Sequence, residues 1–279
     1  MSASKHSGVT CVNGSLIESG KGVILPNDHS VIVGDGVFET IQVFNGQPFA
    51  ITRHLRRLKN SSKGLGLLPP NEDAIKDAVD KVLGADPEAG LIRITWSSGT
   101  GPLGSARGGN SGTLIVATQA KKIWPASESV HIVPWPRNER GALTGLKTTS
   151  YAENVLALET AHLHGSDEAL FLNTTGLLCE GTGTNIFLVI EGELVTPSLS
   201  SGCLAGITRE IVLEIAEVIE RDILPEELNL CSEAFLTSST RDLSPISRFD
   251  NLEIPLCPGP ITQKIAHAFS ELKSSQPDP

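Results

Sequence analysis

EGTGTNIFLVIEGELVTPSLSSGCLAGITR, running from Glu180 to Arg209, is the stretch that decides how this chain folds. It opens on a carboxylate that follows the apolar Leu177, Leu178 and Cys179, and it continues through the small residues Gly181, Thr182 and Gly183. Small residues there let a flat group approach the backbone closely. NIFLVIEG and ELVTP then read as two strands joined at Glu191-Gly192, rich in β-branched and aromatic residues. Gly206-Ile207-Thr208 opens a helix expected from Thr208 to Ile219. The start of a helix presents free backbone N–H groups and the positive end of its dipole, a combination that favours a phosphate.

The flanking sequence extends the same pattern. VHIVPW, ALFLN and LLCEG read as further strands, with a turn at Thr175-Gly176, and a helix from Ala152 to Leu163 ends at His164-Gly165. A last helix spans Pro260 to Leu272. Toward the N-terminus, VTCVNG and SLIES form one expected hairpin and GVFETIQVFNGQPFAI a second, turning at Asn45-Gly46. Helices follow from Arg53 to Gly64 and from Glu72 to Leu83, the latter after Pro69 and Pro70. LIRITWSS and TLIVATQA flank the glycine-rich GTGPLGSARGG, long enough for a mobile lid or substrate loop. KKIWPAS is the expected linker. The reading is therefore α/β (α+β) in two domains: a smaller one over 1–120, a linker over 121–129 and a larger one over 130–279.

Composition bounds the function. With 39% hydrophobic residues and 279 in all, the chain can bury a substantial core. Its formal charge of −10, without a long basic run, gives no footprint for nucleic acid. No apolar segment approaches the roughly 20 residues that cross a bilayer, and no secretory leader is evident, so a cytoplasmic protein without a membrane partner is expected. The cysteines, Cys11, Cys179, Cys203, Cys231 and Cys257, lack a C-x-x-C pair, so buried reduced thiols are expected and no metal site. The opening MSASKHSG and the closing SSQPDP have the small, polar or proline-containing character of frayed ends.

GLKTTSY, Gly145 to Tyr151, supplies the remaining chemistry. An enzyme that uses pyridoxal 5′-phosphate needs an amine to hold the cofactor and shuttle a proton. Lys147 lies in a stretch otherwise poor in charge and suits that task. Glu180 could keep the pyridine nitrogen protonated, and the helix start at Gly206 could hold the phosphate, with Thr208 adding a hydroxyl. Each signal alone has an ordinary alternative: a surface lysine, a strand-end acid, a capped helix. TSST, Thr237 to Thr240, offers further hydroxyls.

The combination resembles the class IV, or fold type IV, pyridoxal-phosphate enzymes: branched-chain aminotransferases, D-amino acid aminotransferases and 4-amino-4-deoxychorismate lyases. Their signature runs from a glutamate through an Asn-apolar-aromatic triplet to apolar-x-Thr and apolar-x-Gly-apolar-x-basic. Here those positions are Glu180, Asn185-Ile186-Phe187, Leu194 with Thr196, and Leu204, Gly206, Ile207 and Arg209. The resemblance, spanning about Val12 to Leu272, implies Lys147 as the residue linked to the cofactor and Glu180 as partner of the pyridine nitrogen. It implies phosphate contacts from Arg57, in the H-x-x-R-L pattern, and from Ile207, Thr208 and Ser239, with Leu204 packed against the ring. It also implies two domains with the cofactor between them, and a homodimer.

Within the family, VGDGVFET, Val33 to Thr40, is similar to the lyases and D-amino acid enzymes, whereas the branched-chain enzymes usually have a tyrosine where this chain has Val33. The ungapped run from Lys147 to Leu156 leans the same way. The expectation is therefore a lyase that releases pyruvate and 4-aminobenzoate from aminodeoxychorismate, a step of folate synthesis. The alternative is transamination of a D-amino acid, a branched-chain amino acid or another small amine. Val33, Phe38, Arg107 and Tyr151 are the expected substrate residues, with Arg93 and Arg137 as further partners for carboxylates.

Overall fold

The computed structural model describes residues 8–18, 21–109 and 111–279. By their internal contacts these residues fall into two units. One runs to Ile123 and takes in Leu146–Tyr151 and Pro277–Pro279; the other comprises Trp124–Gly145 and Ala152–Gln276. No described helix is long and apolar enough to cross a membrane.

The first unit contains β1 (Thr10–Val12), β2 (Ser15–Ile17), α1 (His29–Ile32), β3 (Gly36–Phe44), β4 (Gln47–Pro48), α2 (Ile51–Gly64), α3 (Glu72–Ala85), β5 (Leu91–Ser97) and β6 (Thr113–Gln119). Its six-stranded sheet has the order β2-β1-β6-β5-β3-β4, and every pairing is antiparallel. Both expected hairpins form. Asn45 and Gly46 turn the second with φ of 51° and 76°, the positive values that a tight two-residue turn requires. Leu55 and Leu58 of α2 and Ile75, Val79 and Val82 of α3 bury the apolar stripe of each helix on Ile41, Ile92, Ile94 and Val116 of the sheet.

The two helices start differently. Asn71 caps α3, its side chain accepting the Ala74 N–H at 3.0 Å, and Glu72 and Asp73 complement the dipole in the first turn. α2 begins after Ala50, which has no side chain to cap with. Asp278 takes that role, its carboxylate accepting the Thr52 N–H at 3.0 Å, while the Pro277 carbonyl accepts the Ala50 N–H at 2.8 Å. The expected fraying of the closing segment is thus replaced by attachment to α2. At the other end, residues 1–7 of the expected frayed opening lie outside the described residues.

The second unit contains β7 (Glu128–Ile132), α4 (Ala152–Leu163), β8 (Glu168–Leu172), β9 (Leu178–Gly181), β10 (Asn185–Ile190), β11 (Glu193–Pro197), α5 (Ile207–Ile215), β12 (Ile219–Arg221), β13 (Cys231–Ser238), β14 (Asp242–Phe249), β15 (Leu252–Glu253) and α6 (Pro260–Ser275). Its sheet runs β12-β11-β10-β13-β14-β7-β8-β9, with β15 added to β14. β10 is buried along its whole length, and its period of two divides it between two cores. Ile186, Leu188 and Ile190 join one with Leu170, Leu236 and Ile246, while Phe187 and Val189 join the other with Val212 of α5 and Ile265 of α6.

α5 stops at Ile215, short of the expected Ile219, because residues 219–221 pair in parallel with β11 instead. Cys257 is exposed, unlike the other four cysteines, so burial of all five thiols does not hold.

Candidate active site

In the first unit the lysine segment lies along β3. The Phe38 N–H donates to the Lys147 carbonyl at 3.0 Å, the Thr149 N–H to the Gly36 carbonyl at 2.8 Å, and Thr148 bridges to Val37. Gly34-Asp35-Gly36 makes this approach possible. Gly34 has φ of 68°, and a Cβ there would sit 2.7 Å from Ser150 Oγ; one on Gly36 would sit 3.1 Å from Thr149 Oγ1. Ser61 Oγ, on α2, accepts the Lys147 N–H at 3.1 Å.

The Lys147 side chain is half-buried among aromatic rings. Its Nζ lies 4.2 Å from the Phe38 ring centre and 5.7 Å from that of Tyr151, and the two rings meet edge to face at 5.3 Å. The Arg93 guanidinium lies over the same Phe38 ring at 3.7 Å. Phe38, Lys147, Tyr151 and Arg93 thus form one cluster. Val33 ends α1 and is exposed.

Two of the expected arginines in the first unit are occupied by protein carboxylates. Arg57 Nε and Nη2 grip Glu39 at 2.8 and 2.6 Å, and His54 Nδ1 lies 2.7 Å from the same carboxylate. Glu39 is fully buried. Burial alone would raise its pKa, but the charge and hydrogen bonds of Arg57, aided by His54, bring it down to about 2. Arg107 bonds Asp35 through Nε at 2.7 Å and Nη2 at 2.6 Å, and donates to the carbonyls of Leu65 and Gly66. His29 Nε2 lies 3.0 Å from the Pro102 carbonyl. The glycine-rich loop is therefore strapped at both these points, and the Arg107 fork is committed to the protein.

In the second unit each position of the 180–209 signature has a physical task. Glu180 Oε2 accepts the Leu204 N–H at 2.9 Å, and the Leu204 carbonyl accepts Asn185 Nδ2 at 2.9 Å. Gly206 permits this: a Cβ there would overlap Asn185 Oδ1. Thr196 Oγ1 donates to the Ile186 carbonyl at 2.7 Å, and Arg209 Nη2 to the Pro197 carbonyl at 2.9 Å. Arg137 Nε lies 3.4 Å from Glu180 Oε1, with its guanidinium over the Phe171 ring and its Nη1 bonded to Glu153 and Asn154. Gly206 offers no side-chain cap to α5, whose first turn buries Ile207 and Thr208. Ser239 sits in the tip between β13 and β14, two residues after Thr237, whose buried hydroxyl has no hydrogen-bond partner among the described residues.

Each unit carries donors that suit pyridoxal phosphate: the first an amine among rings, the second a braced carboxylate for a pyridinium N–H and an uncapped helix start for a phosphate. The family model for amino-transferase class IV matches residues 36–249. This chain belongs to that family. A branched-chain-amino-acid aminotransferase of Pseudomonas aeruginosa is 27% identical over 99% of this class IV chain and 96% of its own length. The aminodeoxychorismate lyase of Bacillus subtilis is 28% identical over 86% of each chain. The structure of a branched-chain aminotransferase from Thermobaculum terrenum, in its pyridoxal-phosphate form, superposes with a TM-score of 0.84 at 27% identity, covering 96% of this chain and 94% of its own. The chain is a pyridoxal-phosphate-dependent class IV enzyme of fold type IV.

Sequence reasoning missed Glu39 and Asn154 and gave His54 no task beyond its place in the H-x-x-R-L pattern. His54 and Arg57 were visible as an i, i+3 pair on one helix face, but the buried acid they share lies on another element.

Proposed function

We propose that this chain is an aminotransferase that takes an α-amino acid as donor, with branched apolar side chains the first class to test. The observation that carries this reading is Arg93. Its guanidinium shares the Phe38 ring with the Lys147 amine, and the residue is exposed, with no protein carboxylate bonded to it among the described residues. Arg107 and Arg137 are both paired with acids. One unspent guanidinium beside one amine suits a substrate with a single carboxylate next to its amino group.

When bound, pyridoxal phosphate supplies the electron-withdrawing ring that lets a proton leave the carbon bearing the amino group. Lys147 takes and returns that proton at Nζ. Arg93 binds the carboxylate, and Phe38 and Tyr151 orient the substrate and exclude water. Glu180, braced by the Leu204 N–H and Arg137, would hold the proton of the pyridine nitrogen. Gly206, Ile207, Thr208 and Ser239 would take the phosphate, while the Arg57 fork is held by Glu39. The names of the Pseudomonas and Thermobaculum proteins support transamination.

A second reading, the lyase, draws on VGDGVFET and on the Bacillus relative, but its substrate carries two carboxylates and needs a second free cation. The deciding experiment is an amino-donor screen with 2-oxoglutarate, run beside aminodeoxychorismate. Keto acid formed from L-leucine, L-valine or a D-amino acid, and lost in Lys147→Ala, is expected. Equimolar 4-aminobenzoate and pyruvate, with no donor accepted, would establish the lyase instead. The resemblance also supports a homodimer, which light scattering on the purified protein tests.

A further inference from the structure

The second unit buries an ion triad that has no part in the chemistry above. Arg241, 8% exposed at its side chain, lies between Glu128 and Glu168, each 1% exposed: Nε is 3.0 Å from Glu128 Oε1 and Nη2 is 3.0 Å from Glu168 Oε2. A buried triad of this kind rarely stabilises more than well-packed apolar residues would, so its presence calls for another reason. The other contacts of its members supply one.

Glu168 faces two ways. Its Oε1 accepts the Thr182 N–H at 3.2 Å and the Thr182 hydroxyl, so it holds the turn that immediately follows Glu180; Asn154 holds the same residue through its carbonyl. Its Oε2 faces Arg241, which ends the tip between β13 and β14. That tip is closed on itself, the Arg241 N–H donating to Ser238 Oγ at 3.2 Å and Ser238 Oγ lying 3.3 Å from Thr240 Oγ1. It is also clamped from outside: Trp124 stacks on the Arg241 guanidinium at 4.0 Å and donates its indole N–H to the Thr240 carbonyl at 2.9 Å.

We propose that Glu168 and Arg241 are positioning residues: one buried carboxylate sets the spacing between the Glu180–Thr182 turn and the 239–241 tip, and so places the tip hydroxyls for the cofactor phosphate. The proposal rests on the reading of Ser239 as a phosphate contact. Its sign separates it from an electrostatic role. The triad carries one excess negative charge, so if it acted through charge, removing Glu168 would favour a phosphate dianion. If it acts through position, removing Glu168 loosens the phosphate.

The test titrates apoprotein with pyridoxal 5′-phosphate and with pyridoxal, which lacks the phosphate, following the visible band that Lys147→Ala abolishes. Glu168→Gln and Arg241→Lys should each weaken pyridoxal phosphate about 10- to 100-fold while changing pyridoxal less than about threefold. Thr182→Val, which removes the hydroxyl held by Glu168 and leaves the bond to the Thr182 N–H, should weaken pyridoxal phosphate in the same direction but less than either triad variant. Unchanged or tighter binding of pyridoxal phosphate by Glu168→Gln, or equal weakening of both probes in both triad variants, would overturn the proposal. A wild-type protein with no preference for pyridoxal phosphate over pyridoxal would overturn the phosphate reading with it.

Discussion

Lys147 and Glu180 are both held by backbone hydrogen bonds, but the sequence distance over which each is held differs greatly. The Glu180 carboxylate is braced by the Leu204 N–H, and that loop by Asn185, all inside one 180–209 run of strand, strand, loop and helix. The Lys147 segment lies on β3, more than a hundred residues earlier in the chain, and reaches it because Gly34 and Gly36 have no side chains. Local brackets leave a motif, whereas a long-range seat leaves two short segments with nothing between them. This is why the 180–209 positions could be read as one signature while the seat of the lysine could not.

Glu39→Gln should break the lysine-bearing unit most severely. Removing the charge that the part-buried Arg57 faces should cost about 3–5 kcal/mol at neutral pH, measured by chemical denaturation. The pH dependence has a defined sign. A carboxyl whose folded-state pKa is depressed stabilises the fold above its unfolded value and loses that contribution as pH falls through the folded one. For Glu39, brought from 4.5 to about 2, the loss spans roughly pH 5 to 2 and amounts to about 3 kcal/mol. The variant's melting temperature should therefore fall less steeply over that window than the wild type's.

Gly34→Ala and Gly206→Ala set the two brackets against each other. Each should cost about 2–3 kcal/mol through the clash and, at Gly34, the φ of 68°. Gly34→Ala should slow attachment of the cofactor aldehyde to Lys147, read by borohydride trapping. Gly206→Ala should weaken binding of inorganic phosphate and leave trapping at saturating cofactor intact. Identical phenotypes would dissolve the distinction between the two.

Arg93→Gln should raise KM for the amino donor about 10- to 100-fold, a loss of about 1.4–2.8 kcal/mol, with the cofactor spectrum unchanged. An unaltered KM would remove Arg93 as the carboxylate anchor. The smallest effect belongs to Asp278→Ala: loss of the α2 cap should lower stability by about 1 kcal/mol without touching the cofactor spectrum.

The β10 run, the two hairpins, α3, α4 and α6 were legible because alternation, turn residues and caps are local signals. β13 and β14 went unread although β13 is buried at six of its eight positions, since CSEAFLTS carries polar residues among its apolar ones. The end of α5 was misjudged because a tertiary pairing with β11 overrides a continuing apolar pattern. Arg107 looked like a free cation because its partners, Asp35 and two carbonyls, lie more than forty residues away. The cap of α2 by Asp278 spans nearly the whole chain and has no local trace.

The excursion of Leu146–Tyr151 has a consequence for modularity. The chain leaves the second unit at Gly145, contributes Lys147 to the first, and resumes the second at Ala152. No single cut therefore yields two contiguous cassettes of which one holds Lys147 together with Phe38 and the other keeps its own polypeptide whole. Swapping the units between relatives would have to respect four junctions, after Ile123, Gly145, Tyr151 and Gln276, so the seat of Lys147 on β3 cannot be moved as one continuous stretch.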